Sequence, residues 1–291
     1  MDISHLTTDK ARQDALLSVP ERRRIILADK WFNYDGAREL MAHMEWLYEH
    51  PTVDRPPNML LTGDSNSGKS ALLKRLMSKY PSRYDPNDSA DYVPILRIDM
   101  PTSCPPVKLF LAEFISALRL PLLSNATAVT MKAQMDRVLP KLGTKIIIID
   151  EFQTILNGSP KAAINIRDEL TLLSNRYRLP IILTGMDSAR TVMRGDPQLD
   201  NRFEKFQIKR ITDQKTAGAI VKKWLGECPL QKRSTIDFWL LTDHVIRNSG
   251  GLIGHMMAFL QRASEFAIDS GEESFTENTL RKMRWSMPKS I

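Results

Sequence analysis

The spacing of apolar residues changes several times along this chain, and each change marks an element. Ala37, Leu40, Met41, Met44 and Leu47 recur three and four apart, which predicts a helix with one buried stripe. The proline-rich stretch Pro51–Pro57 ends it, because proline cannot donate to a helical ladder. Met59-Leu60-Leu61-Thr62 then runs apolar into Gly63, as a strand buried on both faces does. A helix is expected over Ser70–Tyr80, with Leu72, Leu73, Leu76 and Met77 on one side, and an exposed loop over Tyr80–Ser89. Val93–Ile98 reads as a strand. Val107–Leu118 reads as a helix with Leu109, Phe110, Phe114 and Leu118 inward, and Met131–Leu142 as another. Ile146–Ile149 is the clearest strand, Ile181–Leu183 the next, with a helix over Ile164–Tyr177 between them.

Strands alternating with helices, each strand apolar throughout, predict an α/β fold with a parallel sheet between helices. An edge strand is expected at Phe206–Ile211. Beyond it only helical patterns follow: Gln214–Leu225, Thr235–Arg247, Leu252–Ile268 and Glu277–Trp285. The expected organisation is an N-terminal helical segment, 1–56, packing on the core, an α/β core, 57–211, and a small all-helical domain, 212–291.

Composition narrows the class. At 291 residues, 42% hydrophobic and 26% charged, the chain has the make-up of a folded globular protein. No apolar run approaches the roughly 20 residues of a membrane helix. The opening Met1-Asp2-Ile3-Ser4-His5 lacks the pattern of a signal peptide. With only Cys104 and Cys228, a disulfide framework and a four-cysteine zinc site are excluded. A cytoplasmic setting without membrane contact is expected. The formal charge of +7 hints at nucleic acid, yet no block of like charge forms a basic tail.

Gly63-Asp64-Ser65-Asn66-Ser67-Gly68-Lys69-Ser70 fits G-x-x-x-x-G-K-[ST] between a strand and a helix, the context the motif requires. Its glycines let successive N–H groups turn inward on a phosphate, and the helix that follows adds the positive end of its dipole. The nucleotide stretch runs from Gly63 through Ala71. Within it Lys69 is expected on the β- and γ-phosphates, Ser70 on Mg²⁺, and Asp64 facing solvent. Asp150 closes the isoleucine strand at its C-terminal end, where such sheets bind ligands, and can hold Mg²⁺ through water. Glu151 can take a proton from attacking water. Cradle, metal and water activation together make a site expected to bind and hydrolyse a nucleoside triphosphate. Thr184, ending the next strand, can contact the water or the γ-phosphate. Arg202 is a candidate to reach a neighbouring subunit's nucleotide, with Arg190 and Arg194 in reserve.

These residues, with the helical C-terminal part, resemble AAA+ ATPases, in which they correspond to Walker A, Walker B, sensor 1, arginine finger and lid. Three stretches look more narrowly like the TniB/TnsC family of transposition ATPases: Asn58–Gly63, Asp150–Ser159 and Asp196–Phe206. The resemblance covers roughly residues 30–285. It implies ATP with Mg²⁺, binding to double-stranded DNA, and head-to-tail self-assembly into rings or filaments. It also implies recruitment of a DDE transposase and an adaptor role toward a target-selection protein such as a TniQ-like one. For DNA it directs attention to Thr102, Ser103, Lys108, Thr130 and Lys132. One departure stands out. Where initiator-type relatives carry a lid arginine, this chain has Ile253, with His255 the nearest polar residue. Trp31, Phe32 and Tyr34 either flank the adenine or pack as core. The alternatives are a helicase-loader or replication-initiator relative, and a signalling scaffold latched by nucleotide.

Overall fold

Helices α1 (Asp9–Ala15), α2 (Val19–Leu27) and α3 (Asp35–Glu49) open the computed structural model, which describes residues 3–84, 91–194 and 197–287. Asp85–Ser89 of the turn-rich loop and Asp196 lie outside the described residues. Strands β1 (Asn58–Thr62), β2 (Ile95–Asp99), β3 (Ile146–Asp150), β4 (Ile181–Gly185) and β5 (Phe203–Gln207) form one parallel sheet, ordered β2-β3-β4-β1-β5. Every residue of β1, β3 and β4 is buried, as continuous apolar runs require. Parallel neighbours need crossover connections. These are built from α4 (Lys69–Lys79), α5 (Val107–Ala117), α6 (Ala128–Val138), α7 (Pro160–Tyr177), α8 (Ala189–Arg194) and the short α9 (Pro197–Asp200).

Three local expectations shift. Leu109 is 54% exposed, while Phe110, Leu111, Phe114 and Ile115 are buried. The i, i+4 pairs set the inward face, and Leu109 sits one step around the helix from it. Helix α6 begins at Ala128 rather than Met131 because Thr127 and Thr130 form a capping box. The edge strand runs three residues earlier than expected, since β5 is aligned by pairing Phe203 with Asn58 and Gln207 with Thr62.

The described chain divides into two compact units. One comprises Glu39–Asp64 and Lys69–Ile208 and contains the sheet. Its core gathers Phe110, Phe114, Ile147, Ile149, Phe152 and Leu183. The other comprises Met1–Arg38, Ser65–Gly68 and Lys209–Ile291, with helices α10 (Gln214–Glu227), α11 (Phe238–Ser249), α12 (Ile253–Asp269) and α13 (Glu277–Lys282). The N-terminal helices α1 and α2 therefore belong with the C-terminal ones. Phe32 stacks on Trp224 in this second core, with centroids 6.3 Å apart, and Tyr34 packs on the same cluster, so both are core aromatics. Buried Arg22 pairs through both terminal nitrogens with Glu273, at 2.6 and 2.7 Å. Among the described residues no helix is long and apolar enough to cross a membrane.

Candidate nucleotide-binding site

The loop after β1 turns on two left-handed residues, Asn66 at φ 61° and Gly68 at φ 99°. Gly63 N, at its start, donates to Gly185 O at 3.2 Å, which anchors the loop beside the end of β4. Lys69 opens α4 and folds its side chain back, donating to Gly63 O at 2.7 Å and Asp64 O at 2.9 Å. It is 8% exposed. Burial pulls its pKa below the ordinary value for lysine, and the charges of Glu151, Asp150, Asp64 and Asp187 oppose that pull. Asp64, expected to face solvent, is half-buried. Ser65 and Asn66 are exposed, as are Ser70 and Ala71. The buried Ser67 Oγ has no hydrogen-bond partner.

Asp150 stands at the end of β3, 3% exposed, with both oxygens engaged. Oδ1 accepts from Glu151 N at 2.9 Å and from the Thr184 hydroxyl. Oδ2 accepts from the Arg97 guanidinium at 3.0 Å, and Arg97 also donates to Asp99 Oδ1. Strand register explains the pair: Arg97 lies opposite Ile148 and Asp99 opposite Asp150, so Arg97 reaches the carboxylate diagonally. Glu151 is exposed, with a left-handed backbone at φ 58°. Its carboxylate accepts from Gln153 Nε2 at 2.5 Å, and Gln153 Oε1 accepts from Met186 N at 2.9 Å. Arg190 donates to Thr62 Oγ1 at 3.0 Å, so this reserve arginine is tied to its own β1. Lys69, Asp150, Glu151 and Thr184 thus converge at the C-terminal ends of β1, β3 and β4.

Sequence reading did not single out Arg97 or Gln153. The signal for Arg97 was an arginine inside an otherwise buried apolar strand, a rare placement without a paired charge. Gln153 had no comparable signal.

Arg202 lies elsewhere. Its guanidinium donates to Asn175 Oδ1 on α7 at 2.9 Å. With Arg55, Pro56, Pro57, Asn58, Asn201 and neighbours it lines a cleft of about 770 Å³ at the N-terminal ends of β1 and β5. Five strand residues separate that end from the phosphate loop, roughly 16 Å at about 3.3 Å per residue. Arg202 is therefore remote from its own chain's Lys69.

The residues proposed for DNA fall in two stretches. Thr102, Ser103 and Lys108 are exposed around the connection from β2 to α5, and Thr102 O accepts from Asn157 Nδ2 at 3.0 Å. Thr130 is exposed but serves the α6 capping box. Lys132 turns inward to Glu169 at 2.7 Å, an ion pair whose carboxylate is 6% exposed. Its ammonium would have to leave that carboxylate to meet a phosphate.

Within the helical unit, the loop tip Ser65–Gly68 meets the start of α12. Gly254 N donates to Asn66 O at 2.9 Å, and Asn66 Nδ2 lies 3.1 Å from His255 Nε2. His255 is buried, so it is not the helix-surface histidine that its type most often makes. Ile253 packs against the same tip: a Cβ on Gly68 would stand 2.9 Å from its Cγ2.

A strand, a glycine-bounded loop closed by Lys69 and a helix, with an acidic pair ending another parallel strand of the same sheet, define an α/β P-loop NTPase fold. A family model described as "Bacterial TniB protein" matches residues 22–213, and the chain belongs to the TniB family. No curated protein matches it. Among solved structures it is similar to the ORC2 protein of Aeropyrum pernix, at 17% identity and TM-score 0.60, over 90% of this chain and 71% of that one. Cdc6p of Pyrobaculum aerophilum is similar at 13% identity and TM-score 0.56, over 97% and 70%. The ORC1 protein of Aeropyrum pernix, solved in complex with DNA, is similar at 15% identity and TM-score 0.59, over 90% and 68%.

Proposed function

We propose that this protein is an ATPase that assembles on duplex DNA and serves transposition as an adaptor, recruiting and activating a DDE transposase at sites chosen by a partner such as a TniQ-like protein. One observation carries the catalytic half: Lys69, Asp150, Glu151 and Thr184 converge at the ends of adjacent parallel strands. Membership of the TniB family supports the transposition half.

The donor set suits a magnesium-chelated nucleotide. No cluster of three or more His, Cys, Asp or Glu side chains that could cage a metal occurs among the described residues. Mg²⁺ rarely needs one, being held by one or two protein groups, phosphate oxygens and waters. The exposed Ser70 hydroxyl and Asp150, through water, would hold it, and it would neutralise charge on the β- and γ-oxygens. The remaining amides of the loop, past Gly63, bind the phosphates, and Lys69 exchanges its two carbonyls for phosphate oxygens. Glu151 takes the proton of the water that attacks the γ-phosphorus as the bond to the β–γ bridging oxygen breaks. Thr184 orients Asp150. Arg202 acts on a neighbouring subunit's nucleotide, since a head-to-tail interface brings one chain's cleft to the next chain's loop. Thr102, Ser103, Lys108 and Thr130 meet the DNA backbone, giving binding that is nearly independent of sequence and weakens with salt. The DNA-bound state of the similar ORC1 protein fits duplex DNA as the partner.

Calorimetry and imaging test the reading together. Magnesium-ATP titrated into the wild-type chain is expected to bind, and Lys69→Ala to lose that binding. Electron microscopy with duplex DNA and a non-hydrolysable ATP analogue is expected to show assemblies that neither DNA nor analogue alone produces. Wild-type affinity in Lys69→Ala removes the phosphate-site assignment. A second reading, an initiator-like or helicase-loading ATPase, draws on the ORC and Cdc6 likeness. Purified transposase that ignores the DNA-bound assemblies would favour it.

A further inference from the structure

Gln153 lies in the 3-10 turn Phe152–Asn157 that follows the acidic pair, and its side chain is bonded at both ends. Met186 N can only donate, so the oxygen of the Gln153 amide must face it, which leaves the nitrogen to face Glu151. The approach is close: a Cβ on Gly185 would stand 2.4 Å from Gln153 Oε1, so any residue with a side chain there would push the amide away. Each acidic residue at the end of β3 is thus tied to the end of β4, Asp150 through Thr184 and Glu151 through Gln153. The two ties differ in what they hold. Asp150 is buried and has two further donors, whereas Glu151 is exposed and Gln153 is the side chain that holds its carboxylate.

We propose that Gln153 is a positioning residue: it holds the Glu151 carboxylate in the rotamer that takes the proton of the attacking water, and it makes that rotamer depend on where β4 ends. The inference rests on Glu151 being the base. An exposed glutamate samples many rotamers, and misplacing a catalytic group by about 1 Å can cost on the order of 100-fold in rate. Binding of the nucleotide, by contrast, draws on the loop and Lys69, whereas the side-chain bonds of Gln153 go to Glu151 and Met186.

Two substitutions separate positioning from folding. Gln153→Glu exchanges one NH₂ for an oxygen; it keeps an acceptor for Met186 N and sets a like charge against Glu151. Gln153→Met keeps the length and removes both bonds. In both, kcat for ATP hydrolysis is expected to fall at least about tenfold, with KM and the calorimetric affinity for ATP within about twofold of wild type. The same substitutions made in a Glu151→Gln background are expected to cause no further loss, because a residue that acts through the base has nothing left to act on. A residue that only props the turn would lower kcat, nucleotide affinity and melting temperature together, and its effect would add to that of Glu151→Gln. Either that additivity, or wild-type turnover in both single variants while Glu151→Gln is inactive, overturns the proposal and leaves the base assignment standing. Wild-type turnover in Glu151→Gln removes the base assignment itself.

Discussion

Asp150 has a charged neighbour as well as neutral ones, and the charge has consequences. Burying a carboxylate that is 3% exposed is costly unless its lone pairs are met by donors, and Arg97 supplies the cation among them. Arg97→Met leaves the Glu151 amide and the Thr184 hydroxyl, both neutral. The expected loss is about 1–3 kcal/mol, read as a lower melting temperature without nucleotide. The 31% exposure of Arg97 points to the lower half of that range. Magnesium-ATP is expected to raise the melting temperature of Arg97→Met by more than that of wild type, since a bound cation makes good the missing charge. Equal increments would mean that Arg97 is not the counter-charge of this site.

At the scale of elements, helix ends and acid stability are linked. Asp213 caps α10 by accepting from Thr216 N at 2.7 Å, and that bond holds its carboxyl below the usual range. Bonds from Arg176 and Tyr177 do the same for Asp136, and bonds from Thr276 and Asn278 for Glu272. A carboxylate with a folded pKa below its unfolded one contributes stability above the unfolded value and loses it as pH falls through the folded one. The melting temperature is therefore expected to drop on acidification, from about pH 5 downward. Asp213→Asn keeps a good cap but cannot titrate. It is expected to change stability little at neutral pH and to flatten the acid slope, and an unaltered slope would take Asp213 out of the account.

Elements differed in how far their residues announced them. The buried strands were readable because apolar runs stop abruptly at Gly63 and at the acidic pair, so β1 and β3 were located within a residue. Strand β5 was misplaced because its exposed, charged residues carry no run, and its alignment comes from β1. The phosphate loop was legible as a spacing of residue types. Arg97 on Asp150 and Gln153 on Glu151 were not, because each contact depends on which residues two strands or a turn bring abreast, and periodicity within one segment carries no such information. The burial of His255 was hidden for the same reason.

For the whole molecule, the proposed role of Arg202 calls for an active species larger than one chain. It sits in the cleft at the opposite end of β1 from Lys69 and so cannot complete its own site. Arg202→Ala is expected to lose ATP turnover, and mixing it with Lys69→Ala chains is expected to restore part. The mixed assembly pairs an intact loop on one chain with an intact Arg202 on the next, although neither chain turns over alone. No restoration at any mixing ratio would count against catalysis across subunits.

The backward fold of Lys69 also changes how loading should look to an experimenter. With its ammonium already satisfied by two oxygens of its own backbone, Lys69 is not a bare cation waiting for any passing anion. Arrival of triphosphate is a trade of one set of partners for another, so the heat released understates the new contacts. Simple anions such as sulfate, too small to displace both carbonyls and span the remaining amides, should compete poorly for the same place.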